Sequence, residues 1–227
     1  MLGILTLDTA FPRIAGDLGA PETFAFPVRH AIVRGAGVEE VVHRRGTTLL
    51  PLFVHAGLAL ADAGCTGITT TCGFLVRWQR ELARALPVPV LTSSLLQIPL
   101  VNATLPGGRR AGIVTYSAAD LDAEALGAAG VDASTPVVGV APDGYFARTI
   151  RHGSATLDQD RMRQDTLDAA VALCAAHPEL GAIVLECANM PPYRDAVAAA
   201  TGRPVFDAAQ LVGWFHAGLD PLSPRRV

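Results

Sequence analysis

GITTTC, residues 67–72, opens on a glycine, runs through apolar and β-branched residues and stops on a cysteine. AIVLEC, residues 182–187, repeats that form 115 residues further on. A second pair, GILTLD (3–8) and GIVTYS (112–117), shares Gly, Ile and Thr at matching places with an offset of 109 residues. Two echoes in the same order and at nearly the same offset point to a duplicated lobe. Each echoed segment is short, is apolar on both faces and ends in polar residues, as expected of a parallel strand covered by helices on both sides.

The intervening segments supply those helices. Residues 47–63 form a helical pattern with Pro51 in its first turn and Gly64 after its end. Residues 74–86 place Leu75, Trp78, Leu82 and Leu86 on one face, with Arg77, Arg80, Glu81 and Arg84 on much of the other. Further helices are expected through about Leu105 and over 118–129, 156–176, 194–200 and 208–219. Strands are expected over 2–7, 87–92, 137–140 and 203–207, and an edge or irregular extended segment over 24–33, where Pro27 cannot donate to a ladder. The expected fold is α/β, with two parallel-sheet lobes covered by helices. If the lobes pack about a pseudo-two-fold axis, the strand ends carrying Asp8, Cys72, Ser117 and Cys187 converge on one cleft. The lobes are expected over 1–107 and 108–227, with the last helix of the first or the C-terminal helix crossing between them.

Composition narrows the chemistry. The chain is 50% hydrophobic, 17% charged and carries a net charge of -3, which argues against disorder and against a nucleic-acid surface. All 18 basic residues are arginine. Without lysine the chain can form no protein Schiff base and no P-loop of the GxxxxGK type. No early basic segment leads into an apolar signal core, and no apolar run is long enough to span a bilayer, so a cytoplasmic protein without membrane contact is expected.

The four cysteines lack CxxC spacing and read as thiols. Cys174 lies on a helix stripe and Cys65 follows a helix stop, both as structural residues. Cys72 and Cys187 instead end central strands and precede turns, where a thiol can act as base or nucleophile. Neither has a partner at metal-site spacing, and two core cysteines at strand ends are the structural alternative. Two thiols on facing lobes suit proton removal from one face of a carbon and delivery to the other. Hydroxyls near strand ends, among them Thr70, Thr71, Ser93, Ser94, Thr115 and Ser117, together with Asn189, are candidates to hold a carboxylate. Asp8 could orient Cys72; a strand would turn Glu186 to the face opposite Cys187, which leaves open whether it touches the site. Arg13, His30, His43 and His55 are further anion-binding candidates.

Taken together, GILTLDT, GITTTCGF, GIVTYSA and LECANMPPY resemble the aspartate/glutamate racemase superfamily over essentially the whole chain. The resemblance implies two Rossmann-like parallel-sheet lobes related by a pseudo-two-fold axis with the site in the interlobe cleft, and catalysis by Cys72 and Cys187, one from each lobe, without cofactor or metal. Asp8-Thr9 matches the Asp-Ser after the first strand of glutamate racemases, and Thr115, Tyr116 and Ser117 match a segment that holds the substrate carboxylate. Gly73-Phe74 and Ala188-Asn189 stand where glutamate racemases carry Asn-Thr and Thr-His, so substrate selection should differ there. The implied activity is racemisation or epimerisation of a small carboxylate, such as an amino acid or cyclic derivative. The alternatives are a maleate-isomerase-like cis–trans isomerase or decarboxylase on the same scaffold, or a non-catalytic carboxylate-binding protein. The resemblance also admits a homodimer.

Overall fold

A computed structural model describes residues 1–219. Its strands form two four-stranded sheets with identical internal order. The first contains β1 (Leu2–Leu7), β2 (Val28–Val33), β3 (Gly67–Thr70) and β4 (Val90–Leu91), in the order β2-β1-β3-β4. The second contains β5 (Ala111–Thr115), β6 (Val137–Gly139), β7 (Ala182–Leu185) and β8 (Val205–Phe206), in the order β6-β5-β7-β8. Every pairing is parallel. β1, β3, β5 and β7 are buried throughout, as central strands covered on both faces must be. The sequence echoes correspond to equivalent strands: β1 with β5, and β3 with β7.

The helices are α1 (Leu50–Asp62), α2 (Gln79–Ala85), α3 (Ile98–Thr104), α4 (Ala123–Ala128), α5 (Tyr145–His152), α6 (Gln159–Ala176), α7 (Arg194–Thr201) and α8 (Ala208–Leu219). Two of them cross between lobes: α3 packs on β5, and α8 packs on β3. Gly67 makes the second crossing feasible, because a Cβ there would overlap the Leu219 side chain and lie 3.2 Å from the Phe215 ring. The exchange covers one lobe's sheet with the other lobe's chain, which fixes the two sets of strand ends relative to each other.

Three expectations need correction. Residues 73–78 form a 3-10 helix before α2 begins, so the chain leaves Cys72 in a tighter coil than the amphipathic pattern suggests. The helix expected from Ala118 begins only at Ala123, because Asp122 caps it by accepting from the Ala125 N–H. Residues 120–122 are engaged instead by the other lobe: Arg77 donates to the Asp120 carbonyl at 2.7 Å and to Asp122 Oδ1 at 2.8 Å. The Tyr145–His152 helix was not expected at all. The edge position foreseen for residues 24–33 is occupied by β2, which starts immediately after Pro27.

Candidate active site

Beyond β3 and β7 the two chains turn toward each other, and Cys72 and Cys187 line one pocket of about 380 Å³. Its wall also contains Thr9, Arg13, Thr71, Phe74, Tyr116 and Asn189. Both cysteines are buried, with 7% and 8% of their surface exposed. Burial is the largest influence on each thiol, and the Glu186 carboxylate adds to it. The Cys72 thiol is pushed up to about 12, against the N–H groups of Phe74 and Leu75, which favour its thiolate. Cys187 is raised well above the usual thiol value, and Cys72 contributes to that rise. The two sulfurs therefore sense one another across the pocket and rest as neutral thiols at neutral pH.

A polar chain runs away from Cys187. Its thiol donates to Asn189 Oδ1 at 3.6 Å, and Asn189 Nδ2 donates to Asp17 Oδ2 at 2.6 Å. Asp17 accepts in turn from Arg13, whose second guanidinium nitrogen donates to Thr9 Oγ1 at 2.7 Å. Because a carboxylate only accepts, Asp17 fixes which way the Asn189 amide faces. Arg13 is thereby held at the pocket wall, paired with Asp17 and bonded to Thr9.

Opposite this chain lies Glu186. Thr115 Oγ1 donates to its Oε2 at 2.7 Å, whereas its Oε1 is buried with no hydrogen-bond partner. Any side chain at residue 73 would strike that oxygen, and a Cβ would sit 2.8 Å from the Glu186 carbonyl. Glycine at 73 therefore permits the carboxylate to lie across the lobe boundary. Strand alternation alone left open whether Glu186 reaches the site; it lines the same pocket as Cys187. β7 ends at Leu185, so strand alternation no longer governs the two residues that follow.

Other candidates are distributed less uniformly. Thr9, Thr71, Gly73, Phe74, Tyr116 and Asn189 all line the cysteine pocket. Asp8 does not: its carboxylate receives the Gly35 N–H and Arg34, both at 3.0 Å, on the exposed return from β2. Ser93 accepts from the Leu95 N–H at 3.2 Å as a cap and, with Ala188, lines a second cavity. Thr115 is fully buried and meets the pocket only through Glu186. Ser117 donates to Asp120 at 2.6 Å and faces a separate cavity. His43 closes the lobes over the site, with its Nδ1 2.8 Å from Asp120 and its Nε2 3.2 Å from both the Tyr116 hydroxyl and Arg151. Phe11, Val38, Val42 and Ile150 complete the pocket without a local pattern to announce them. Among the described residues, no group of three His, Cys, Asp or Glu side chains is placed to hold a metal, and no helix is long and apolar enough to cross a membrane.

Comparison with known proteins places this geometry in context. No protein-family model matches the chain. It is 28% identical over 226 residues to a dimethylsulfoniopropionate lyase of Durusdinium sp. clade D, covering 96% of this chain and 74% of that one. It is 28% identical over 228 residues to dimethylsulfoniopropionate lyase 5 of Emiliania huxleyi (strain CCMP1516), covering 95% of this chain but only 45% of that one. The chain thus spans about half to three quarters of the length of these two relatives. Among solved structures, arylmalonate decarboxylase superposes with a TM-score of 0.62 at 16% identity, covering 96% of this chain and 92% of that one. Allantoin racemase from Pseudomonas fluorescens gives 0.58 at 17%, covering 100% and 99%. Picrophilus torridus aspartate racemase gives 0.56 at 12%, covering 96% and 92%. The chain has the two-lobed α/β fold of the aspartate/glutamate racemase superfamily.

Proposed function

We propose that the protein is a cofactor-independent lyase that removes a proton from the carbon beside a carboxylate and expels a β-substituent. Its substrate would be dimethylsulfoniopropionate or a closely similar β-sulfonio carboxylate. The observation that carries the reading is the pair of buried thiols, Cys72 and Cys187, lining one small, largely apolar pocket that also contains Arg13. The choice of elimination over racemisation draws on the sequence relatives, which are named as lyases of that compound.

Arg13 and Thr9 would receive the carboxylate, and Phe74 and Tyr116 supply aromatic surface for a sulfonium group. A cation in the pocket also addresses the high thiol values, because a nearby positive charge favours the thiolate. The thiolate of one cysteine takes the α-proton, and the C–H electron pair becomes the new carbon–carbon double bond. The β-carbon–sulfur bond breaks, and its electrons leave with neutral dimethyl sulfide. Acrylate remains, and the abstracted proton is released, which balances the reaction.

Incubation with dimethylsulfoniopropionate should release dimethyl sulfide and acrylate in equal amounts without added metal or cofactor. Failure to release either product from a panel of β-sulfonio carboxylates would remove the lyase reading. Racemisation is the second reading, favoured by the equivalent placement of the two cysteines in repeated strands. It predicts that a single enantiomer of an amino acid or hydantoin, incubated in deuterium oxide, becomes a labelled mixture of both.

A further inference from the structure

The duplicated strands place Thr71 and Glu186 at equivalent positions, each one residue before its lobe's cysteine. The Leu7 N–H donates to Thr71 Oγ1 at 3.2 Å, and the Tyr116 N–H, at the matching place in the other lobe, favours the ionised form of the Glu186 carboxyl. A neutral hydroxyl therefore meets the backbone requirement in one lobe, whereas the other lobe holds a carboxylic acid that is 1% exposed. Folding does not require that acid, and burying one is unfavourable.

Its surroundings suggest a purpose. Glu186 lines both the cysteine pocket and a second, smaller space. The Thr69, Thr70 and Ser94 hydroxyls on its wall donate to backbone carbonyls, and leucine, valine and alanine side chains complete it. The unpartnered Oε1 thus belongs to a carboxyl group shared between the pocket of the two thiols and this second space.

We infer that Glu186 is a positioning residue that exchanges protons with the cysteine pair, setting its ionisation and taking the proton of the resting thiol when the cationic substrate binds. The inference rests on the site being one where a thiolate removes a substrate proton. In an elimination the base ends each cycle protonated, with no second substrate face to receive that proton. With the cationic substrate bound, the S–H bond breaks heterolytically: its electrons stay on sulfur and the proton passes to the Glu186 carboxylate, which releases it to solvent before the next turnover. Burial raises the Glu186 carboxyl to about 7, against the opposing hydrogen bonds of Thr115 and Tyr116, so both of its forms are accessible near neutrality. The titratable groups whose values respond to Glu186 are Cys72 and Cys187, and Cys187 also faces Asp17, Tyr116 and Tyr193.

The test compares the full-length protein with Glu186→Gln, which keeps the shape and can still accept from Thr115. Without substrate, thiolate absorbance is titrated against pH, and the carboxyl band is followed by infrared difference spectroscopy. The wild type should show a buried carboxyl ionising near pH 7, absent in the variant, whose thiols should ionise about one pH unit lower. With substrate, kcat should fall about 100-fold and lose its pH dependence near neutrality. Unchanged thiol titration together with a wild-type pH profile would overturn the inference, since a purely structural Glu186 is replaced by glutamine without either effect. The substrate-free titration stands whether or not the lyase reading holds, so failure of one is distinguishable from failure of the other.

Discussion

Replacing Cys72 or Cys187 by alanine should lower turnover by at least about 100-fold while leaving the protein folded. Both thiols line the same pocket, and each is small, so truncation to a methyl group leaves only a minor void. Neither is in a disulfide. Removing a thiol also removes a group that the buried Glu186 carboxylate repels when both are ionised. Circular dichroism and thermal unfolding should therefore change little while product formation collapses, and the two losses should not add in the double variant because the thiols act as a unit. A variant that kept wild-type kcat would make the corresponding sulfur a packing residue.

Glu186→Gln should stabilise the protein at pH 8 by up to about 3 kcal/mol, with the difference vanishing below about pH 4.5. The sign follows from the direction of the shift. Burial raises the Glu186 carboxyl from 4.5 to about 7 in the folded state. Between those values the unfolded chain has lost its proton while the folded chain still holds one, so wild-type stability falls as pH rises through that window. Glutamine carries no such proton and lacks that slope. Denaturant unfolding of both proteins at pH 4.5, 6 and 8 measures the difference directly; a pH-independent difference would mean that the carboxyl does not titrate in the folded chain.

How much of this arrangement was legible in the sequence depended on whether the signal was local. The two cysteines stood out because each interrupts an apolar strand at the same place in a repeat, and the structure aligns those strands as β3 and β7. Thr71, Phe74 and Asn189 followed as immediate neighbours. Asp8 misled because its partners, Gly35 and Arg34, lie across a long return loop whose path no pattern revealed. The Tyr145–His152 helix was hidden by an entry at Gly144 with no side-chain cap and by its arginines. Whether Glu186 reaches the site stayed open, because alternation stops governing side-chain direction where its strand ends at Leu185. The exchange of α3 and α8 between lobes could be anticipated only as a choice of which helix crosses, since it depends on side-chain fit at positions such as Gly67.

The most direct test of the central claim, that a thiol of the Cys72–Cys187 pair removes a proton from the carbon beside a carboxylate, is a crystal structure with a non-reacting β-sulfonio carboxylate bound. The account predicts the carboxylate on Arg13 and Thr9, with the α-carbon in contact with the Cys72 or the Cys187 sulfur. An analogue seated away from both sulfurs, for example in the apolar groove formed by Leu100, Phe206 and Trp214, would contradict it.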